Sequence, residues 1–117
     1  MGNIPTPLYI YGHYAHNMDG IIIMFRMPTK TPNPVVNMFC KKFYGQDTSS
    51  HGGKYRYHRH GLLDNIPHHR IIRQVIIIRE KDCKKIVTFL KRYNTEIYIR
   101  RVRFTKEDCK KLNLPFE

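Results

Sequence analysis

The chain has 117 residues, with 21 Lys and Arg against 9 Asp and Glu, so its formal net charge is +12 at pH 7. Its 41% content of hydrophobic residues is typical of a folded protein, and its length suits one core, so we expect a single domain over residues 1–117. No apolar run approaches the roughly 20 residues that cross a bilayer, and no secretory signal is visible, so a cytoplasmic location is expected and a membrane protein is not.

The N-terminal part is predicted to be an arm, residues 1–19, in which residues 8–18 are a candidate for an additional strand. The arm also contains an HxxH pair, His13 and His16. Residues 20–27 are continuously apolar up to Arg26, which predicts a strand buried on both faces.

A helix is predicted from about Pro34 to Tyr44, because Asn33 can cap it, Pro34 suits its first turn, and apolar residues then recur at helical spacing. Residues 45–53 are rich in Gly, Ser, Thr and Asp and predict a mobile loop.

Residues 54–60 alternate Tyr with basic residues and predict an edge strand, and residues 61–70 a connection. Residues 71–79 form a strongly β-branched run, which predicts one strand in the middle of a sheet.

A second helix is predicted from an apolar stripe over residues 83–93, with Asn94 as its stop. Residues 96–104 then predict a last strand, and the capping box of Thr105 and Asp108 predicts a short terminal helix. Each of the three cysteines falls on a predicted helix. Their number and spacing suit neither a disulfide framework nor a metal knuckle, so they are expected to be small core residues.

This order of elements predicts an α+β fold of the ferredoxin-like split βαβ type, βαββαβ, because two apolar strands suit its centre and two basic strands its edges. Its four-stranded antiparallel sheet would carry both helices on one face. The other face would expose Ile71, Val75 and Ile77 between basic residues. The N-terminal arm, a second copy or nucleic-acid bases could cover that patch, and we expect the arm or a homodimer before bases.

The excess positive charge favours nucleic acid, RNA or DNA, as the partner, since a basic surface concentrates polyanions. Basic residues would contact phosphates and tyrosines would stack on unpaired bases. RNA is slightly favoured, because no helix looks suited to reading a major groove. The predicted binding residues are Lys54, Tyr55, Arg56, Tyr57, His58, Arg59, His60, Arg70, Arg73, Arg100, Arg101 and Arg103.

The predicted order of elements resembles that of the RNA-recognition motif family. That family carries a basic-Gly-aromatic signature with stacking aromatics on its third strand, whereas residues 73–79 contain no aromatic residue. The resemblance therefore implies the topology and not the family's usual mode of binding.

Two kinds of nuclease are the alternative. HUH-class enzymes use a split βαβ sheet with two metal-binding histidines on one strand, which resembles His58 and His60, but Arg59 stands where that class has a bulky apolar residue. Cas2-like proteins have an acidic residue at the end of the first strand, where this chain has Arg26, with Asp19 before the strand.

Because the acidic residues are few and scattered, the sequence favours a binding protein over an enzyme, with no metal, cofactor or small-molecule substrate. A second alternative is an interaction subunit, in which the charge steers assembly onto an acidic partner.

Overall fold

The computed structural model describes residues 19–50 and 52–115. The strands are β1 (Asp19–Arg26), β2 (Gln46–Ser50), β3 (Tyr55–Arg59), β4 (His68–Ile72), β5 (Val75–Ile78) and β6 (Glu96–Arg103). The helices are α1 (Asn33–Tyr44), α2 (Cys83–Lys91) and α3 (Lys106–Leu112), and single 3-10 turns lie at Leu62–Asn65 and Glu80–Asp82.

Four strands form the main sheet, in the order β4-β5-β1-β6, and every neighbouring pair is antiparallel. The apolar strand β1 is central, with Ile23 opposite Ile76 on one side and Ile99 on the other. Strands β2 and β3 form a separate two-stranded sheet. A mixed α+β fold with a four-stranded antiparallel sheet is therefore confirmed.

The main core lies between this sheet and helices α1 and α2. Alternate residues of β1 and β5 point into it, since side chains in a strand alternate between the two faces. Phenylalanines of α1 stack there, with the rings of Phe39 and Phe43 5.2 Å apart. The buried members are Ile21, Ile23, Phe25, Phe39, Phe43, Leu63, Ile66, Ile76, Ile78, Ile86 and Leu90.

A second, smaller core lies on the opposite face of the sheet, under α3. Ile77, Phe104, Cys109 and Leu112 are buried together there. The ring of Phe104 lies so close to Gly20 that a Cβ on this glycine would be 2.2 Å from it. Since real side chains do not approach so closely, a residue with a side chain here would displace Phe104 from the core.

The predicted capping box of α3 is confirmed. The Thr105 hydroxyl accepts a hydrogen bond from the Asp108 backbone N–H at 3.1 Å, and the Asp108 carboxylate accepts one from the Thr105 N–H at 2.9 Å. Helix α1 matches its predicted span, although Asn33 is its first residue and not its cap. Asn94 follows α2 with a left-handed φ of 56°, as its predicted stop requires.

The order of elements differs from the predicted one because residues 54–60 do not join the main sheet. Strand β3 pairs with β2, in a segment that was predicted to be a loop. All five residues of β3 are exposed, so this strand offers the main sheet no apolar face to bury. The edge position is occupied by β4, from the predicted connection.

The predicted strand over residues 71–79 is also divided. A turn at Arg73 and Gln74 separates β4 from β5, which pair with each other around an irregularity between Arg70 and Ile72. Ile72, which alternation with Ile71 would place on the helix-covered face, is 63% exposed. The β-branched run carries no Gly, Pro or Asn to indicate this turn.

Helix α3 corrects the prediction of an open sheet face. Helices α1 and α2 share one face, as predicted, but α3 packs against Ile77 on the other. The N-terminal arm or a homodimer was expected to cover this face, but residues 1–18 of the arm lie outside the described residues. In the described part of the chain, no helix has both the length and the apolar character needed to cross a membrane.

Leu112→Ala tests the importance of the second core. Leu112 is 2% exposed, so we expect the change to lower the free energy of unfolding by about 2 to 5 kcal/mol, because it removes buried apolar surface and leaves a cavity. Chemical denaturation measures this value. Lys110→Ala, on the exposed side of α3, is the control and should change it by less than about 0.5 kcal/mol. Equal effects of the two changes would show that Leu112 of α3 is not part of a stabilising core.

Candidate nucleic-acid interface

The β2–β3 hairpin presents the predicted cluster of basic and tyrosine residues. Thr48 lies opposite Tyr57, and Ser49 opposite Arg56. Tyr57 is 55% exposed. Among the described residues, no carboxylate forms a salt bridge with Lys54, Arg56 or Arg59. The hairpin therefore offers three cations that are available to phosphates, next to an exposed aromatic ring.

His58 connects this hairpin to the rest of the domain. Its Nδ1 lies 2.7 Å from an Asp47 carboxylate oxygen within the hairpin, and its Nε2 lies 2.7 Å from a carboxylate oxygen of Asp64 in the Leu62–Asn65 turn. Both ring nitrogens can donate to carboxylates only when the imidazole is protonated. The hydrogen bond to Asp47, and then that to Asp64, raise the pKa of His58 accordingly. We call this arrangement the His58 clamp.

A hydrogen bond from the backbone fixes the Asp64 side chain. Its carboxylate also accepts a hydrogen bond from the Gly61 N–H at 2.8 Å. Burial raises the pKa of Asp64, but the hydrogen bonds from Gly61 and His58 outweigh it, so the net pKa is lowered. Asp64, whose carboxylate caps the Leu62–Asn65 turn, thus also anchors the hairpin.

Gly45 allows the hairpin to approach this closely. Its φ is +91°, and a Cβ at this position would lie 2.7 Å from the Asp64 carboxylate and 2.8 Å from both the Arg59 carbonyl oxygen and His58 Nε2. A side chain would therefore be strained and would enter the His58 clamp. The glycine is required where α1 ends and β2 begins.

Arg70 and Arg73 lie at the β4–β5 hairpin, over the ring of Tyr44. Their guanidinium carbons are 4.9 and 5.6 Å from the ring centroid, and the Tyr44 hydroxyl donates to the Arg73 carbonyl oxygen. Burial raises the pKa of Tyr44 to about 12. The described residues provide no carboxylate partner for either arginine, so stacking on Tyr44 orients both cations without neutralising them.

The predicted arginines of β6 lie elsewhere, on the opposite edge strand of the main sheet. Arg101 donates to both carboxylate oxygens of Glu80 at 3.0 and 3.2 Å. Arg103 lies 3.9 Å from the Asp19 carboxylate, and Arg100 donates to the Ile99 carbonyl oxygen. The structure therefore does not bring all the predicted cations together, and acidic residues neutralise part of the β6 group.

A groove beside α2 contains cations that the predicted site omitted. Its volume is about 520 Å³, and its lining combines basic residues with Leu62 of the turn that holds the His58 clamp. The basic residues are Lys81, Lys84, Lys85 and Arg92. Their spacing puts them on one helical face away from the apolar stripe, which is the signal that could have identified them.

The described histidines do not form the metal site of the HUH-like alternative. His58 already uses both ring nitrogens in the His58 clamp, and His60 packs its ring edge-on against His58 at 5.5 Å. No group of three or more His, Cys, Asp or Glu in residues 19–50 and 52–115 is arranged to hold a metal ion. At the end of β1, the Arg26 guanidinium is bonded to Glu96, which is unlike the acidic position of Cas2-like proteins. His13 and His16 lie outside the described residues.

Comparison with known proteins identifies no relative. No protein-family model, no curated protein and no solved structure matches the chain. The geometry of the hairpin, the Tyr44 corner and the α2 groove therefore carries the functional argument.

The His58 clamp predicts a pH-dependent attachment of the hairpin. Because the pKa of His58 is raised, the clamp is fully formed below the ordinary histidine pKa of about 6.5 and is lost as the pH rises through the raised value. Amide hydrogen exchange, corrected for its intrinsic pH dependence, should show better protection of Thr48 and Tyr57 in mildly acidic than in alkaline buffer.

His58→Gln should remove this pH-dependent difference, and the control His60→Gln should keep it. If the wild type and His58→Gln show the same protection at every pH, His58 does not hold the hairpin.

Proposed function

We propose that the protein binds nucleic acid, with RNA favoured over DNA, through one surface on the α1 and α2 side of the domain. We call this surface the basic face. Its members are Lys54, Arg56, Arg59, Arg70, Arg73, Lys81, Lys84, Lys85 and Arg92. The observation that carries the proposal is that three elements with cations that have no carboxylate partner among the described residues each contact the same short turn or share a pocket with it; they are the β2–β3 hairpin, strand β4 and the α2 groove.

The Leu62–Asn65 turn joins these groups. Leu62 lines the α2 groove, and Asp64 binds His58 of the hairpin. Asp64 also lines a pocket together with Arg70. Because these cations come from different parts of the chain, a flexible polyanion bound along this surface would neutralise several of them at once.

The paired arginines support the choice of this surface over β6. Arg101 is neutralised by Glu80 and Arg26 by Glu96, so binding a phosphate to either would compete with an existing ion pair. Phosphate contacts by Arg100 and Arg103 stay predictions. The basic face is therefore the better candidate for most of the phosphate contacts.

The exposed tyrosines favour unpaired nucleic acid. The ring of Tyr57 is accessible beside the basic residues of the hairpin, and an accessible aromatic face can stack on an unpaired base. The cations of α2 are mainly lysines, which make few base-specific contacts in a major groove. We therefore propose recognition by backbone charge and stacking, with little reading of sequence.

The strand order supports a finer proposal about the fold. In a split βαβ arrangement, the spatial order of the strands is second, third, first, fourth. The strands of the main sheet, taken in chain order as β1, β4, β5 and β6, have this spatial order, β4-β5-β1-β6. We propose that the chain is ferredoxin-like in this sense and that the β2–β3 hairpin is an insertion after the first helix. The hairpin that separates it from the simple βαββαβ order is also its most exposed cationic element.

The homodimer also stays a proposal. Ile72 and Tyr98 are 63% and 46% exposed, and such apolar area commonly marks an interaction surface.

Arg56→Gln combined with Arg59→Gln tests the basic face. We expect weaker binding to a short single-stranded RNA, and a smaller slope of log K against log salt, by about 0.7 for each phosphate that the variant no longer neutralises. Fluorescence anisotropy at several salt concentrations measures both quantities.

The matched control is Lys106→Gln with Lys110→Gln, which removes the same charge from α3 on the other side of the sheet. If both pairs weaken binding equally, net charge and not this surface controls affinity. If the wild type does not bind RNA or DNA at low salt, the proposed function is wrong.

Tyr57→Leu tests the stacking contribution. Loss of the ring should weaken binding of single-stranded RNA by about 1 to 3 kcal/mol, or roughly 5- to 150-fold in Kd. Tyr57→Phe keeps the aromatic face and should bind like the wild type in the same anisotropy assay. A loss of affinity in Tyr57→Phe equal to that in Tyr57→Leu would contradict stacking and indicate a role for the hydroxyl.

A further inference from the structure

A pocket of about 390 Å³ lies beside the edge strand β4 and combines several groups that can transfer protons or bind anions. Three consecutive β4 residues line it, together with side chains from α1, the Leu62–Asn65 turn and α3. The lining residues are Tyr44, Leu63, Asp64, His68, His69, Arg70 and Lys111. Neither the His58 clamp nor the proposed phosphate contacts use the two histidines.

Both histidines are fixed in the same tautomer. His69 Nδ1 lies 2.7 Å from a carboxylate oxygen of Asp108, and His68 Nδ1 lies 2.8 Å from the Ile66 carbonyl oxygen. Since carboxylates and carbonyls only accept hydrogen bonds, each Nδ1 carries a hydrogen. Each neutral ring then keeps its lone pair on Nε2, and neither Nε2 has a partner among the described residues.

The pair of His69 and Asp108 is well buried, with side-chain exposures of 16% and 5%. Burial raises the pKa of Asp108, but the hydrogen bonds from Thr105 and His69 outweigh it and the net pKa is lowered. Asp108 therefore remains ionised and orients the imidazole. A buried carboxylate that orients a histidine is a common way to position a general base.

The cations of the pocket are available to an anion. Neither Arg70 nor Lys111 forms a salt bridge within the described part of the chain. Asp64, the acid of the lining, already binds His58 and the Gly61 N–H. A phosphodiester in this pocket would therefore find two positive groups, and His69, oriented by Asp108, offers its Nε2 as a base.

We propose that this pocket binds a phosphodiester of RNA and cleaves it by transesterification. The inference rests on the proposed function, because the basic face would bring the RNA to β4. The neutral imidazole of His69 removes the proton of the ribose 2′-hydroxyl through Nε2, and the 2′-oxygen attacks phosphorus. The bond from phosphorus to the 5′-oxygen breaks, and a water molecule gives a proton to that oxygen.

This step is balanced, since the imidazolium of His69 returns its proton to the hydroxide that the water molecule leaves. The products are a 2′,3′-cyclic phosphate and a free 5′-hydroxyl. Arg70 and Lys111 would stabilise the charge that develops on the phosphoryl oxygens. The nucleophile belongs to the substrate, so DNA would bind without being cleaved.

A DNA oligonucleotide with one internal ribonucleotide tests the inference on the full-length protein, with an all-DNA copy as its control and EDTA in the buffer. We expect cleavage at the ribonucleotide, with a cyclic phosphate detected by mass spectrometry, and an intact all-DNA strand. Anisotropy on the same strands, at the same low salt, measures binding separately.

His69→Asn removes Nε2 but retains an amide N–H near the position of Nδ1, so the contact to Asp108 can persist. This change should slow cleavage by about 10²- to 10⁴-fold while binding and thermal stability are kept. Lys111→Gln should also slow cleavage, and Lys110→Gln, one residue away on α3 and outside the pocket lining, should not.

Failure of this inference can be distinguished from failure of the proposed function. Binding of both strands without cleavage would overturn the inference and leave nucleic-acid binding intact, whereas absence of binding would overturn the proposed function. Unchanged cleavage by His69→Asn, or equal cleavage of the all-DNA strand, would also contradict the assignment and indicate a contaminating nuclease.

Discussion

The hydrogen bonds from His58 to Asp47 and Asp64 connect an exposed hairpin to the folded domain, and the arrangement of the basic surface depends on them. Every residue of β3 is exposed, and an isolated two-stranded hairpin is marginally stable in water. Buried apolar side chains therefore cannot be what orients this hairpin. A charged contact is a suitable substitute, because it leaves the outward-facing cations of β3 free to meet a ligand.

The sign of the net charge alone does not locate a binding surface. Arg26, Arg79 and Arg101 have carboxylate partners, whereas Arg56, Arg59 and the lysines beside α2 have none among the described residues. The pairs of Arg26 with Glu96 and of Arg101 with Glu80 join residues 70 and 21 positions apart. Which cations are neutralised and which are available is therefore seen only in the folded chain.

The sequence predicted β1, α1, α2 and the capped α3 well, because each has a local signal: an apolar run, a helical stripe or a capping box.

The prediction was wrong where two segments compete for the same position in the main sheet. Residues 54–60 have the alternation of a strand, but the place beside β5 is taken by β4. Alternation of polar and apolar residues indicates that a segment is extended, but it does not indicate which strand the segment pairs with. The sequence did not predict the turn at Arg73 and Gln74, because the flanking isoleucines favour continued β-structure. The α2 lysines lie off the apolar stripe that predicted the helix, but the sequence does not show that they and the hairpin both adjoin the Leu62–Asn65 turn.

The hydrogen-bond acceptors around the Leu62–Asn65 turn distinguish His58 from the two histidines of β4. Asp64, within this turn, accepts from Nε2 of His58, and Asp47 accepts from its Nδ1, so both ring nitrogens are occupied and the pKa of His58 is raised. Just after the turn, the Ile66 carbonyl oxygen accepts from Nδ1 of His68, and Asp108 accepts from Nδ1 of His69. A carboxylate at Nε2 removes an imidazole from acid–base chemistry with a ligand, whereas an acceptor at Nδ1 prepares Nε2 for it. The histidine of the hairpin thus has a structural role that holds cations in place. The two histidines of β4 have their acceptors at Nδ1, and their Nε2 atoms have no partner among the described residues.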